Sequence, residues 1–231
     1  MVSTGSTTRF EYAPAPESRS VVDIKSSYGL FIDGEFVDGA DGTSFKTINP
    51  ATEEVLAEVT EAQSADVDRA VRAARRAYTR VWSRMSGRER SKYLFRIARI
   101  MQERSRELAV LESIDNGKPI REARDVDVPT AAAHFFYYAG WADKLQHAGL
   151  STAQGEPPKP LGVAGQVIPW NFPLLMLSWK IAPALACGNT VVLKPAETTP
   201  LTALLFAEIC QQADLPPGVV NIVTGAGGTS Q

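Results

Sequence analysis

Residues 161–231 alternate between short apolar runs rich in β-branched side chains and longer apolar runs with helical spacing. The short runs, which we predict as strands, are 162–168, 190–193 and 219–223. The longer runs, which we predict as helices, are 174–186 and 200–213. Gly188 stands where a left-handed cap closes the first helix, and Thr199 and Pro200 have the order of an N-cap and a first helical residue. The alternation predicts an α/β fold with a partial Rossmann-like parallel sheet and flanking helices.

Strand patterns also open the preceding region, residues 28–145. Alternating apolar and polar positions around the Asp33-Gly34 pair predict a hairpin over 30–37. Two further short strands are predicted at 45–50 and 55–59, with turn residues between them. A small β-hairpin region therefore precedes the α/β unit.

Three helical patterns follow these strands. Ser64 is predicted to cap the first helix, and Ser86 and Glu89 have the spacing of a capping box for the second. The apolar period of the second helix continues without interruption to Leu111. The stretch 129–144 is apolar almost all round, which predicts a third helix that is buried by its neighbours.

Two stretches lack these patterns. Residues 1–27 are rich in Ser, Thr and Pro, and we predict a flexible leader there. The carboxylates of Glu11, Glu17 and Asp23 argue against a mitochondrial transit peptide. Residues 146–160 are rich in Gly, Pro, Ser and Gln and are predicted to be a connection.

Composition narrows the class of protein. The 231 residues carry a net charge of −2 and no basic block, so no nucleic-acid partner is indicated. No apolar run approaches the roughly 20 residues of a membrane span. The only cysteines, Cys187 and Cys210, belong to no metal-binding spacing, and both are predicted to be small buried hydrophobic residues. These observations predict a cytoplasmic protein without a membrane or metal site.

Polar residues follow all three predicted parallel strands, where ligands bind in such sheets. The three clusters are 168–171, 194–197 and 224–228, and we expect them to line one crevice. Lys194 and Glu197 could hold the two hydroxyls of a ribose, or they could form only a local ion pair. The glycines at 225, 227 and 228 could receive a phosphate, or they could form only a turn.

Asn171 lies between two prolines and two aromatic side chains in the sequence PWNFP. A rigid amide can donate a hydrogen bond to an oxygen that becomes negative in a transition state, which is worth about 3 kcal/mol in other enzymes. The alternative is that Asn171 only caps the helix that begins near Leu174.

Three segments together resemble the aldehyde dehydrogenase superfamily. They are NPATEEVLAEV with the following SADVDRAVRAARRAY, LESIDNGKPIREA, and the long segment from PLGVAGQVIPWNFP to PPGVVNIVTG. The resemblance runs from about Tyr28 to Gly227. It implies NAD(P)-dependent oxidation of a small-molecule aldehyde to a carboxylic acid: a cysteine thiolate attacks, hydride passes to the nicotinamide, and a glutamate activates water.

The resemblance also implies site residues. Asn171 resembles the oxyanion donor and Lys180 resembles a lysine linked with proton relay, which makes these two the candidate catalytic residues. The implied cofactor contacts are Ile168, Pro169, Trp170, Asn171, Lys194, Glu197 and Gly227. The implied lining of the substrate tunnel is Phe172, Met176 and Trp179. Since the carboxylate of Glu197 would repel a 2′-phosphate, NAD is expected rather than NADP.

In the family, the catalytic cysteine, the general base and the glycine-rich pyrophosphate turn lie beyond the position of Gln231. We therefore expect this chain to supply cofactor binding, to be inactive alone, and to need a complementary C-terminal chain or a homo-oligomer. Residues 145–160 are shorter and less strand-like than the family's oligomerisation hairpin. We also expect the last strand to expose an unpaired edge, with poor solubility. The alternatives are a non-catalytic nucleotide-binding or assembly module, or a truncated product without function.

Overall fold

The strands before the first long helix form a hairpin and a small sheet. The computed structural model describes residues 17–149, 151, 155, 156 and 158–227. The first strands are β1 (Ser27–Tyr28), β2 (Leu30–Ile32), β3 (Glu35–Val37), β4 (Ser44–Ile48) and β5 (Val55–Thr60). β2 and β3 pair antiparallel, with Leu30 opposite Val37, which confirms the predicted hairpin. At its tip Asp33 and Gly34 have φ of 57° and 88°, as a two-residue hairpin turn requires. Strands β1, β5 and β4 form a separate three-stranded sheet.

Residues 17–27, the described part of the predicted leader, contact the rest of the chain. One 3-10 turn, Arg19–Val21, is capped by Ser18. Lys25 Nζ lies 2.6 Å from Glu208 Oε1, and Glu17 forms an ion pair with Arg106. The other residues of the leader lie outside the described residues, so the leader as a whole stays a prediction.

The middle of the chain is helical. Its helices are α1 (Ser64–Arg80), α2 (Gly87–Glu103), α3 (Ser105–Asn116), α4 (Ile120–Glu122) and α5 (Val128–Trp141), with a π-helical turn, Ala123–Asp127, between the last two. The capping box of α2 is confirmed, because Glu89 N donates to Ser86 Oγ and Ser86 N donates to Glu89 Oε2. The cap predicted for α1 is wrong by one residue, since Gln63 is the N-cap and its N–H donates to Asp66 Oδ2 at 3.0 Å.

Two of the helix predictions are corrected by the structure. The long second helix is broken at Arg104, whose φ of −96° and ψ of 18° lie outside the helical range. The guanidinium of Arg104 donates to Glu107 and to Glu208 of a later helix, which holds the break. The third helix is buried on one face only: Phe135 is fully buried, whereas Tyr137 is 58% exposed.

The C-terminal unit follows the predicted alternation. Its elements are β6 (Val163–Val167), α6 (Pro173–Ala186), β7 (Thr190–Lys194), α7 (Leu201–Gln212) and β8 (Val220–Ile222). The strands β6, β7 and β8 are parallel neighbours, which confirms the predicted parallel sheet. Gly188 after α6 has a φ of 88°, the left-handed conformation expected of a C-terminal cap. Within the described residues of 146–160 there is no strand, and Leu145–His147 forms a 3-10 turn.

The prediction that β8 ends the sheet with an unpaired edge is wrong. The strand order is β3-β2-β8-β7-β6, so the N-terminal hairpin extends the sheet beyond β8. Phe31 of β2 lies opposite Ile222 in an antiparallel pairing. The Asn221 side chain also accepts a hydrogen bond from Asp33 N at 3.0 Å, which ties the hairpin tip to β8.

The sheet is covered on both faces. Every residue of β7 is buried. Val192 packs in a cluster with Ala73 and Ala74 of α1, whereas Leu193 belongs to a larger cluster that includes residues of α6 and α7. Because successive strand residues face opposite sides, α1 covers one face and α6 and α7 cover the other. The carboxyl ends of the parallel strands remain open, and they hold the candidate site.

Candidate functional site

The parallel strands end level with one another. Val167 lies opposite Lys194 in the β6–β7 pairing, and Ile168 N donates to the Lys194 carbonyl at 3.1 Å. On the other side Leu193 lies opposite Ile222. The three polar clusters predicted from the sequence therefore begin at the same edge of the sheet.

Lys194 and Glu197 lie together at this edge. Lys194 Nζ is 3.6 Å from Glu197 Oε2, and the ammonium also donates to the Pro195 carbonyl at 3.0 Å. The lysine side chain is only 7% exposed, whereas the glutamate side chain is 49% exposed. The ion pair is thus present, and it leaves a carboxylate that faces solvent beside a buried ammonium.

A cavity of about 540 Å³ adjoins the exposed carboxylate. Trp170 and Glu197 both line it, together with residues of β4 and the end of α3. The indole of Trp170 is 61% exposed, so a large aromatic surface stands next to the carboxylate. Ile168, two residues earlier, is buried and holds this segment against the sheet.

Asn171 does not cap the following helix. The N-cap position of α6 belongs to Phe172, which makes no capping hydrogen bond through its side chain. Asn171 is exposed, and its side-chain amide has no hydrogen-bond partner among the described residues. The alternative capping role is therefore wrong, and the amide remains able to donate to a ligand.

Glu112 performs the capping role instead, and the sequence analysis missed it. This α3 side chain is fully buried, and its Oε2 accepts a hydrogen bond from Leu174 N at 3.2 Å. Its Oε1 accepts one from Lys118 Nζ at 3.3 Å. Burial raises the pKa of Glu112 well above its ordinary value, while the Lys118 ammonium opposes this rise and Asp127 adds to it.

Asp115, one turn further along α3, does the same for α7. Its Oδ2 accepts a hydrogen bond from Leu201 N at 2.9 Å and its Oδ1 accepts one from Thr47 Oγ1 at 2.8 Å. Burial raises the pKa of Asp115 to about 7, although both hydrogen bonds lower it. The predicted cap at Thr199 is wrong, because Pro200 is the N-cap and the Thr199 hydroxyl has no partner among the described residues. Helical register with the apolar side chains of α3 could have indicated that Glu112 and Asp115 are buried, but it does not indicate which helices they cap.

The predicted tunnel residues follow one another along α6 at helical spacing. Phe172 and Trp179 are 41% and 47% exposed, and Met176 lies half-buried between them. Trp179 stacks on His134 of α5 with ring centroids 5.5 Å apart. Lys180 Nζ donates to the Val167 carbonyl at 2.6 Å, at the end of β6. This face of α6 is therefore apolar and aromatic, with one ammonium at its end.

The glycine cluster is described only in part. Gly225 has a φ of 155°, and Gly227 is exposed. Gly228 lies outside the described residues, so the phosphate-loop and turn interpretations both stay predictions.

The two cysteines differ in environment. Cys210 is buried as predicted, but Cys187 is exposed, so that prediction is wrong. Cys187 is the first residue after α6 and lies at the surface. There it lines a cavity of about 700 Å³, together with Arg90. Partial desolvation still raises the pKa of the Cys187 thiol, although the Arg90 guanidinium lowers it, and full burial raises that of Cys210. Neither thiol has the lowered pKa that favours a nucleophile at neutral pH.

Features of other protein classes are missing from the described part of the chain. None of its helices combines the length and the apolar character needed to cross a membrane. It also contains no cluster of three or more His, Cys, Asp and Glu side chains suited to hold a metal ion.

The fold and its open edge define a mixed α/β protein with a candidate ligand crevice at the carboxyl ends of parallel strands. The sequence pattern of the aldehyde dehydrogenase family matches residues 36–231, and the chain belongs to this family. It is 51% identical over 207 residues to aldehyde dehydrogenase family 2 member B4 of Arabidopsis thaliana, covering 87% of this chain and 38% of that protein. It is 47% identical to human retinal dehydrogenase 2, covering 87% of this chain and 40% of that protein.

Solved structures agree with this assignment. The NAD⁺ complex of an aldehyde dehydrogenase from Bacillus cereus is 44% identical, with a TM-score of 0.83, covering 90% of this chain and 43% of that one. HpcC from Thermus thermophilus is 43% identical with a TM-score of 0.83, covering 88% of this chain and 40% of that one. The chain thus spans about two fifths of the length of these four proteins.

Proposed function

We propose that this chain binds NAD at the carboxyl edge of β6, β7 and β8 and contributes to the oxidation of an aldehyde to a carboxylic acid. The observation that carries the proposal is that β6 and β7 end at the same edge of the sheet. This brings the Lys194–Glu197 pair next to the segment from Ile168 to Asn171. The NAD⁺ complex of the Bacillus cereus relative supports the choice of cofactor.

The residues at this edge fit a dinucleotide. The ammonium of Lys194 can donate to one ribose hydroxyl, and the exposed carboxylate of Glu197 can accept from the other. Ile168, Pro169 and Trp170 would form the wall beside the cofactor, and Gly227 would lie near the adenine. The negative charge of Glu197 would repel a 2′-phosphate, so NAD is favoured over NADP.

Asn171 is proposed as the oxyanion donor. NAD, when bound, supplies the acceptor for the hydride of the substrate. The amide of Asn171 would donate to the aldehyde oxygen as negative charge develops there, since it has no competing partner among the described residues. Phe172, Met176 and Trp179 would form the apolar wall that removes water from the aldehyde. Lys180 would take part in proton relay only after releasing the Val167 carbonyl.

The thiolate and the general base are proposed to come from outside the 231 residues of this chain. The raised pKa of both thiols, Cys187 and Cys210, supports the proposal for the thiolate. The proposal for the general base follows the resemblance, which implies a glutamate in that role. A complementary C-terminal chain, or a homo-oligomer, would then complete the site. We also propose a cytoplasmic location.

Calorimetric titration with NAD tests the binding proposal. We expect the chain to bind with a dissociation constant in the millimolar range, because a glycine-rich pyrophosphate site is not part of the proposed contacts. Lys194→Met should weaken binding at least tenfold. Lys159→Met is the matched control, because Lys159 is an exposed lysine paired with Glu156 in the connection. Equal affinity of both variants would contradict the proposed ribose contact.

Catalysis is tested separately by NADH formation from an aldehyde. We expect no NADH from the chain alone and NADH formation after mixing with a complementary C-terminal half. If NAD binds and no mixture forms NADH, the non-catalytic nucleotide-binding module is the better description.

A further inference from the structure

The loop that carries Asn171 is held by one neighbouring segment. Three side chains between positions 112 and 118, at the carboxyl end of α3, contact the main chain or ring of residues 170–174. Asn171 itself forms no hydrogen bond through its side chain within the described part of the chain. Its amide therefore takes its position from the backbone on either side.

On the amino side, Asn116 fixes the preceding residue. Its Nδ2 donates to the Trp170 carbonyl at 2.5 Å. Asn116 is the last residue of α3, and Gly117 ends the helix with a φ of 83°. The side chain of Asn116 is therefore anchored to a helix, not to a loop.

On the carboxyl side, Glu112 and Lys118 fix the following residues. Glu112 accepts the hydrogen bond from Leu174 N, and Lys118 Nζ lies 4.4 Å from the centroid of the Phe172 ring. The Lys118 ammonium is held by two buried carboxylates, Glu112 and Asp127. Asp127 belongs to the π-helical turn, and such turns occur frequently at functional sites.

We infer that Asn116, Glu112 and Lys118 form a clamp that positions the amide of Asn171. This inference rests on the proposed function, in which Asn171 donates to the substrate oxygen. Its own content is the assignment of Asn116 as a positioning residue. Loss of the Asn116 hydrogen bond leaves the Trp170 carbonyl free to rotate with its peptide group. The backbone of Asn171 then moves, and its side-chain amide samples several orientations.

The test is the variant Asn116→Asp, which keeps the size of the side chain and removes the donor. The readout is the ¹H–¹⁵N spectrum of the chain without NAD, in which Asn171→Asp assigns the side-chain amide signals of Asn171. We expect one sharp pair of signals in the wild type and broadened or multiple signals in Asn116→Asp. Asn116→Gln, which retains an amide donor, should restore part of the wild-type spectrum. Asn116→Ala, which adds no charge, provides the same test if Asn116→Asp does not fold.

Asn189→Asp is the matched control. Asn189 also donates an amide hydrogen bond to a main-chain carbonyl, that of Ala184 at 3.3 Å, but it lies at the amino end of β7. We expect the Asn171 signals to be unchanged in this variant. Unchanged Asn171 signals in Asn116→Asp, with only a lowered melting temperature, would overturn the clamp.

A titration with NAD separates the clamp from the proposed function. If the clamp holds and NAD binds, Asn116→Asp should weaken binding about fivefold or more, because the displaced segment contacts the cofactor. Altered Asn171 signals in a chain that does not bind NAD would support the clamp and contradict the proposed function. Unaltered Asn171 signals in a chain that binds NAD would contradict the clamp and support the proposed function.

Discussion

Two buried carboxylates of α3 serve as caps for helices far away in the sequence. Glu112 accepts from the first turn of α6 and Asp115 accepts from the first turn of α7. A helix N-terminus favours a negative charge through its unpaired N–H groups, whereas burial disfavours that charge. For Asp115 burial is the larger effect, and its pKa rises to about 7.

The raised pKa of Asp115 makes stability depend on pH. A carboxyl with a folded-state pKa above its unfolded-state pKa contributes stability that is complete below about pH 4 and is lost as the pH rises through about 7. Between pH 5 and pH 7 this loss amounts to about 3 kcal/mol, at about 1.4 kcal/mol per pH unit. Asp115→Asn should remove this loss, because an amide can accept from Leu201 N and donate to the Thr47 hydroxyl without ionising.

Urea unfolding of both chains at pH 5 and pH 8 measures this difference. Asp125→Asn is the control, because Asp125 is exposed and its hydrogen bonds with Arg124 lower its pKa. The Asp125 carboxyl is ionised above pH 5 in both the folded and the unfolded state. Its removal should therefore leave the pH dependence of the free energy of unfolding unchanged. Parallel pH profiles for the wild type and Asp115→Asn would show that Asp115 is not the titrating group.

Glu197 is predicted to set the preference between the two nicotinamide cofactors. Two unit charges 4 Å apart in water repel by about 1 kcal/mol, which corresponds to about fivefold in affinity. Glu197→Gln should therefore lower the ratio of the dissociation constants for NADP and NAD about fivefold, as measured by calorimetry. Glu156→Gln, which changes an exposed carboxylate outside the edge, should leave the ratio as it is. If Glu197→Gln left the ratio of the two dissociation constants unchanged, the ribose would not bind next to Glu197.

At the scale of elements, the contact between α2 and α5 depends on a glycine. A Cβ at Gly87 would lie 2.0 Å from the carbonyl oxygen of Ala142, just beyond the end of α5. Gly87→Ala should therefore force the two helices apart and lower the free energy of unfolding by about 2 kcal/mol or more. Thermal and urea unfolding would measure the loss.

Gly140 is the matched control within α5. Apart from its chain neighbours and the nearby backbone of its own helix, a Cβ there would have no described atom within 4 Å. Gly140→Ala should raise the free energy of unfolding by about 0.5–1 kcal/mol, because alanine loses less backbone entropy in a helix. If both Gly87→Ala and Gly140→Ala lowered the free energy of unfolding, the loss in Gly87→Ala could not be assigned to its contact with Ala142.

The elements were predictable from the sequence where the signal is local. The hairpin turn at Asp33-Gly34, the capping box at Ser86 and the parallel alternation of β6, β7 and β8 all follow from neighbouring residues. The break at Arg104 was not predictable from periodicity, because apolar residues on both sides keep the same spacing. The caps of α6 and α7 were not predictable either, because their acceptors come from α3. For the same reason, the sequence indicated Asn171 but not the residues that hold it.

At the scale of the whole molecule, the pairing of the hairpin with β8 decides whether the sheet ends in an exposed edge. This pairing joins the beginning and the end of the described chain, so no local pattern could predict it. Phe31 lies at the centre of the junction, opposite Ile222 and in ring contact with Phe36 at 5.3 Å. It is 2% exposed and belongs to the cluster that contains residues of α6 and α7.

The junction leads us to expect that the chain unfolds in one cooperative transition. Phe31→Ala should lower the free energy of unfolding by about 3–5 kcal/mol, the usual loss for a buried phenylalanine. It should also uncover β8, which promotes aggregation through the free strand edge. Phe95→Ala is the control, because Phe95 is 42% exposed on α2, and its loss should be below about 1 kcal/mol.

Urea unfolding followed by tryptophan fluorescence and by circular dichroism should give coincident curves in the wild type. Separate transitions would mean that the hairpin and the α/β unit fold independently, and β8 would then be an edge for part of the time.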